Sequence, residues 1–288
     1  MAENDHPMGG AVVTGGGSGI GRAIALRLLR EGYGVVVADL HADAGRETVR
    51  LAEVEGLGES IVFEQVDVTV ETDIERAVTI AVSRFDRLSI MVNNAGVPGA
   101  FGPLTELDAK DWDFTFAVLL RGVFLGTKHA ARAFLDQGGS GVVINMASAA
   151  GYTAGLATHA YSAAKSAVIA FTRTSALELA PHRVRVVAIS PGVIPTPLSG
   201  LQNEDLASVL DKAQPWPEHG TSEQVAGVVA FAVSSDAEFI TGESIVVDGG
   251  FLTHGPGAGF LDQVGLTAPK RAGIRYTSAR AGATTEVR

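Results

Sequence analysis

The sequence predicts an α/β protein: a doubly wound parallel sheet of about seven strands with helices on both faces. Two patterns carry that reading. Short runs rich in Val, Ile and Ala recur along the chain and alternate with segments of helical periodicity, which is the pattern of strand–helix–strand units. Several of those runs are apolar at successive positions, as strands buried on both faces are. Composition agrees, with 288 residues, 46% hydrophobic and only 19% charged, enough for a large core.

Composition also excludes several classes of chemistry. The chain has no cysteine, so disulfides, thiolate metal sites and cysteine nucleophiles are ruled out. Its formal net charge of −10 argues against a nucleic-acid partner. The first residues, Met1 to Pro7, are polar and lack the apolar centre of a signal peptide. No uninterrupted apolar run approaches the ~18 residues of a membrane span. A soluble cytoplasmic protein with no membrane partner and no metal is the expectation.

Gly10–Thr14 reads as the first strand and Gly19–Glu31 as a helix stopping at Gly32. The turn between them is Thr14-Gly15-Gly16-Gly17-Ser18-Gly19-Ile20-Gly21. Glycines at a strand-to-helix turn let backbone approach a pyrophosphate, whose charge then sits at the helix N-terminus. The glycines that matter fall at 15, 19 and 21, not at strict G-x-G-x-x-G spacing. The second strand, Tyr33–Ala38, ends at Asp39. A carboxylate there accepts both hydroxyls of an adenosine ribose and repels a 2′-phosphate. No cation follows in Leu40-His41-Ala42, so NAD is expected rather than NADP. An Asp at a strand end can equally be a helix cap; the glycine turn before it favours the ribose role.

Ser60–Val66 is the third strand, followed by Asp67-Val68 and a helix over Glu71–Phe85. The fourth, Leu88–Val92, runs into Asn93-Asn94-Ala95-Gly96, small and amide residues suited to contact with an adenine or a ribose. Asp111–Leu135 reads as one long helix with Trp112, Phe116, Leu119, Leu120, Val123 and Phe124 as its apolar stripe. A fifth strand over 141–147 leads to Ser148. The next helix, Thr158–Ala180, carries Tyr161 and Lys165 four residues apart, one turn apart on one face. A phenol titrates near pH ~10, and a neighbouring ammonium is expected to lower that value and make Tyr161 a usable general acid or base. Ser148 is placed to hydrogen-bond the same substrate oxygen. Val184–Ser190 is the sixth strand, running into Pro191-Gly192-Val193-Ile194-Pro195-Thr196-Pro197. The Pro-rich, weakly periodic stretch over 195–220 is expected to be a lid. A helix over Ser222–Ser234 and a strand over Ser244–Val247 complete the pattern.

These motifs, in this order, resemble the short-chain dehydrogenase/reductase family from about residue 8 to residue 253. Thr14–Gly21 is similar to its cofactor turn, Asn93-Asn94-Ala95-Gly96 to its fourth-strand motif, and Ser148, Tyr161 and Lys165 to its catalytic set. Pro191-Gly192 with Thr196 is similar to the segment contacting the nicotinamide end. The resemblance implies a single Rossmann-type domain over 1–253. It also implies hydride transfer between NAD and a secondary alcohol or ketone. Tyr161 moves the proton, Ser148 polarises the oxygen, and Lys165 holds the nicotinamide ribose and depresses the Tyr161 pKa. The cofactor is then expected against Thr14, Gly15, Gly17, Ser18, Gly19, Ile20, Gly21, Asp39, Leu40, Asp67, Val68, Asn94, Ala95, Gly96, Tyr161, Lys165, Pro191, Gly192, Val193, Ile194 and Thr196. The substrate is expected against Ser148, Ala150, Tyr152, His159, Tyr161, Val193 and Leu198, a mixed apolar and aromatic set that favours a neutral aryl or alicyclic molecule.

One position departs from the family pattern. Where the family usually carries an Asn that anchors a proton-relaying water, this chain has Leu119, which cannot hydrogen-bond through its side chain. An NADP-dependent ketoreductase and a catalytically impaired cofactor-binding protein are the alternatives. A homotetramer is the expected assembly. Residues 254–288, with five basic against two acidic side chains, are expected to be a partly ordered tail or an inter-subunit arm.

Overall fold

Seven strands pair in parallel in the order β3-β2-β1-β4-β5-β6-β7 in a computed structural model that describes residues 8–199, 214–253, 275–276 and 286–287. In chain order these are β1 (Gly10–Thr14), α1 (Gly19–Arg30), β2 (Gly34–Asp39), α2 (Ala42–Val54), β3 (Ile61–Gln65), α3 (Glu71–Phe85) and β4 (Leu88–Asn93). There follow α4 (Ala109–Phe116), α5 (Gly122–Asp136), β5 (Gly141–Met146), α6 (His159–Leu179), β6 (Val184–Pro191), α7 (Ser222–Val233) and β7 (Ser244–Val247). The doubly wound sheet expected from the sequence is the one observed.

Strand alternation sorts the core into two layers. Val13, Val35, Val37, Val92 and Ile144 point to one face, where Ile24 and Leu28 of α1 and Val225 and Val229 of α7 cover them. Val12, Val36, Met91 and Val143 point to the other, under Ile74 and Val78 of α3 and Phe134 of α5. Because side chains alternate at each residue, a strand buried on both faces must be apolar along its length, as β1 and β2 are up to their last residues, Thr14 and Asp39. The chain winds outward from β1 to β2 and β3, then returns to β4 on the other side of β1. That reversal leaves a crevice at the C-terminal ends of β1 and β4, the place where such sheets receive ligands.

Two elements differ from the sequence reading. The α2 helix was not assigned, because its buried residues are only Gly45, Thr48 and Ala52, too small to register as an apolar stripe. Gly45 is required there: a Cβ would overlap the Phe63 ring. The long helix over 111–135 exists but is broken, with a five-residue π turn, Ala117–Arg121, joining α4 to α5. Such turns arise where an inserted residue must be accommodated in a helix, often beside functional sites.

Residues up to Leu252 form one compact unit and Thr253–Arg288 cluster separately. In the second unit Arg275–Tyr276 and Glu286–Val287 pair as a short antiparallel ladder. The expected lid over 195–220 and extension over 254–288 lie largely outside the described residues. Among the described residues, no helix is long and apolar enough to cross a membrane.

Candidate active site

The glycine turn between β1 and α1 is held against the end of β4 by hydrogen bonds. Thr14 Oγ1 accepts from the backbone N–H groups of Asn94 (2.9 Å) and Ala95 (3.0 Å), and Asn94 Nδ2 donates to Thr14 O at 2.9 Å. Gly15 adopts φ +63°, and a Cβ there would stand 2.9 Å from Ala95 Cα. A Cβ on Gly21 would overlap the Gly15 carbonyl oxygen. α1 begins at Ser18 with no side-chain cap and no acid in its first turn, so its leading N–H groups are left for another acceptor.

Asp39 closes the far side of this turn. It is buried, its Oδ2 accepts from Gly17 N at 2.8 Å and its Oδ1 from His41 N at 2.9 Å. Thus the carboxylate both shapes the turn and lines a cleft of about 390 Å³. That cleft is lined by Gly15, Ser18, Gly19, Ile20, Gly21, Asp39, Leu40, Asp67, Val68, Asn94, Ala95, Gly96 and Thr196 of the expected cofactor set. Thr14 and Gly17 lie behind the wall as supports. Asp67 Oδ1 is engaged by Thr69, accepting from its N–H at 2.8 Å and its hydroxyl at 2.7 Å, so its role is to shape the loop after β3. His41, Val97, Phe114 and Val118 also line the cleft and were not found from the sequence. The last two come from α4 and the π turn, which no local pattern ties to the sheet edge.

A second cavity of about 360 Å³ adjoins it and contains Ser148, Tyr161 and Lys165 together. Ser148 follows β5 and starts a short 3₁₀ turn, Ala149–Gly151, accepting from Ala150 N at 3.1 Å. Tyr161 and Lys165 share one face of α6, whose start is capped by Thr158. Lys165 is only 3% exposed; its Nζ donates to Met146 O at 2.6 Å and stands 5.6 Å from the Tyr161 ring centre. Burial pulls the Lys165 ammonium down to about 8. Burial also raises the Tyr161 phenol, with the Ser148 hydroxyl opposing that rise. The expected lowering of Tyr161 by its lysine neighbour is therefore not found: loss of hydration is the largest influence on the phenol.

Ala150, Val193 and Leu198 line this cavity as expected, with Pro191, Gly192, Ile194 and Thr196 of the cofactor set. Tyr152 and His159 do not line it. Tyr152 is 45% exposed and His159 is exposed. In the 3₁₀ turn each residue rotates by about 120°, so the side that carries Ala150 inward carries Tyr152 out. His159 is two residues before Tyr161, about 200° around a helix whose Tyr161 side faces the cavity. Pro98, Leu156, Ala157 and Thr158 take their place. They sit on loops whose direction no sequence pattern specifies. Thr158 alone left a trace, as a threonine three residues ahead of Tyr161 at a helix start.

Leu119 is fully buried in the π turn and packs with Val118, Ala164 and Tyr161. Its side chain thus backs the Tyr161 helix with hydrocarbon.

Comparison with known proteins agrees with this geometry. The family model described as enoyl-(acyl carrier protein) reductase matches residues 15–252. The chain is 38% identical over 255 residues to (+)-borneol dehydrogenase 2 of Salvia officinalis, covering 84% of this chain and 89% of that protein. It is 37% identical over 243 residues to cyclohexanol dehydrogenase of an Acinetobacter species, covering 84% and 94%. A solved short-chain type dehydrogenase/reductase from Mycobacterium ulcerans superposes with a TM-score of 0.80 at 33% identity, covering 91% of this chain and 97% of that one.

Proposed function

Because the chain belongs to the short-chain dehydrogenase/reductase family of nicotinamide-dependent oxidoreductases, we propose that it oxidises a neutral alicyclic or aryl secondary alcohol to the ketone with NAD. One observation carries this reading: Ser148, Tyr161 and Lys165 meet in a mainly apolar cavity that opens beside the cleft bearing Asp39. The cleft suits a dinucleotide, since its glycine cradle leaves no room for a Cβ and its helix N-terminus is uncapped. A nicotinamide dinucleotide bound there supplies or accepts the hydride.

The rest of the chemistry belongs to this chain. Ser148 Oγ donates to the substrate oxygen and fixes it beside Tyr161. As the phenolate, Tyr161 Oη takes the hydroxyl proton when an alcohol is oxidised; as the phenol, it gives its proton to the ketone oxygen in reduction. Lys165 holds the ribose nearest the reacting carbon and, when charged, favours the phenolate. Pro98, Leu156, Ala157, Val193 and Leu198 offer no charge, so an apolar ring fits and a carboxylate is left without a cationic partner among them. Borneol and cyclohexanol, named in two relatives, are alicyclic alcohols of this kind. Asp39 favours NAD, because a 2′-phosphate would meet its carboxylate.

The reading includes self-association as a homotetramer. A mainly apolar surface formed by Phe116, Leu120, Phe124 and Phe171 runs over α4–α6 and suits a second copy.

The test is NADH formation by the purified protein with NAD or NADP and a panel of alicyclic, aryl and charged secondary alcohols. Turnover with NAD on the neutral cyclic members is expected, and Tyr161→Phe lowers kcat by about 10²–10⁴-fold while NADH still binds. Better turnover of charged hydroxy acids, or a preference for NADP, overturns the substrate or the cofactor assignment respectively.

A further inference from the structure

We propose that a buried amide–hydroxyl network centred on Asn145 positions Ser148 against Tyr161, and that Asn145 and Thr172 are therefore positioning residues for the reaction. The inference rests on the proposed alcohol oxidation for its kinetic test but not for its spectroscopic one.

Asn93 and Asn145 are partners in the β4–β5 ladder, and both are buried at the centre of the sheet. Two amides in such a place are costly unless their groups find partners. Asn93 Nδ2 donates to Asn145 Oδ1 at 2.9 Å and to Thr127 Oγ1 at 3.2 Å. Asn145 Nδ2 donates to Thr172 Oγ1 at 3.0 Å, and Thr127 Oγ1 donates to Val123 O at 2.8 Å. Among the described residues Asn93 Oδ1 meets no hydrogen-bond donor, and Gly126 faces it so closely that a Cβ would overlap it.

The four elements joined in this way are the ones that carry the site. β4 leads into Asn94 and Gly96, and β5 into Ser148. α6 holds Tyr161, Lys165 and, two turns further on, Thr172, while α5 follows the π turn that packs Leu119 behind Tyr161. Apolar packing alone tolerates small rotations of a strand against a helix; hydrogen bonds of fixed direction do not. Asn145 is the only one of the four side chains here bonded both across the sheet and to the Tyr161 helix, and Ser148 lies three residues beyond it. A pure stability role would be served as well by apolar residues of the same size. The directed hydrogen bonds of this polar set instead fix an orientation.

The experiment compares Thr172→Val, nearly the same size but lacking the hydroxyl, with Thr172→Ser, which keeps it, and with Asn145→Ala. Each is read by melting temperature, kcat, KM and the phenol titration of Tyr161. The titration is taken as the ultraviolet difference from the same variant carrying Tyr161→Phe, since the chain has four tyrosines. Thr172→Val is expected to lower kcat by about tenfold or more with KM within about twofold. It is also expected to move the Tyr161 titration to higher pH as the Ser148 contact loosens, and Thr172→Ser restores both. The proposal is overturned if Thr172→Val leaves kcat and the titration unchanged, if it loses only melting temperature, or if Thr172→Ser fails to restore it. Should the unaltered protein oxidise no alcohol, the functional reading fails, and the titration still decides the network. If Asn145→Ala does not fold, the Thr172 pair alone decides.

Discussion

The two cavities at the C-terminal edge of the sheet share Asn94, Gly96, Ile20, Thr196 and Leu198, yet they are built by different means. The cofactor-side cleft has one wall made of backbone: glycines pressed together, an uncapped helix end, and Asp39 held by two N–H groups. The substrate-side cavity is made mainly of apolar side chains, delivered by loops after β4, β5 and β6 around the half-buried Tyr161 and the buried Lys165. A backbone cradle tolerates almost no change and recognises one ligand class. A wall of side chains on loops can be resized without disturbing the sheet, so specificity resides there.

That contrast is sharpest at Lys165, the one charge among the described residues that line the adaptable half. Its folded pKa of about 8 lies below the ordinary lysine value of 10.5, so between those values the folded protein binds fewer protons than the unfolded chain. Stability owed to this group therefore rises with pH across that window, and below about 8 the folded protein carries a buried charge at a cost. Lys165→Met is expected to lower kcat by about 10²–10⁴-fold. The same change raises the melting temperature of the cofactor-free protein at pH 7, an advantage that shrinks toward pH 10. Thermal melts across that range check the sign, and a variant less stable than the parent at pH 7 would contradict it.

Gly21→Ala probes the rigid half. Its new methyl group must displace the Gly15 carbonyl and crowd Asn94. Dinucleotide binding is expected to weaken by about 2–3 kcal/mol, measured by NADH fluorescence titration. Asp39→Ala is a milder break in the same wall: the preference for NAD over NADP falls about tenfold, read as the ratio of the two kcat/KM values. The smallest effects belong to the adaptable wall. Ala157→Phe shifts the ratio of kcat/KM between small and bulky alcohols by about tenfold, with dinucleotide affinity unchanged. His159→Ala, outside both cavities, changes neither, and a loss of turnover there would return His159 to the site.

The parts of the site that could be read in advance follow the same division. Glycines 15, 19 and 21, Asp39, and the Tyr161–Lys165 pair occupy positions dictated by local geometry: a strand-to-helix turn, a strand end, one helix face. Tyr152 and His159 were misplaced because their direction depends on how a 3₁₀ turn and a helix start rotate against the sheet. Leu156 and Ala157 were missed because loop residues of ordinary composition carry no periodic signal. The π turn at Ala117–Arg121 was hidden for a related reason: its residues, Ala-Val-Leu-Leu-Arg, are good helix formers, and only packing against α6 shows that the helix widens there.

By itself, then, the sequence determined the parallel sheet, its strand succession and the backbone cradle, because these depend on alternation, helical period and glycine's freedom at positive φ. The direction of the protonation shifts was decided only in three dimensions. The same Tyr–Lys spacing that implies a lowered phenol pKa sits where burial of the two groups raises Tyr161 and lowers Lys165 instead. Hydration is a property of everything packed around a group, and no stretch of chain encodes it alone.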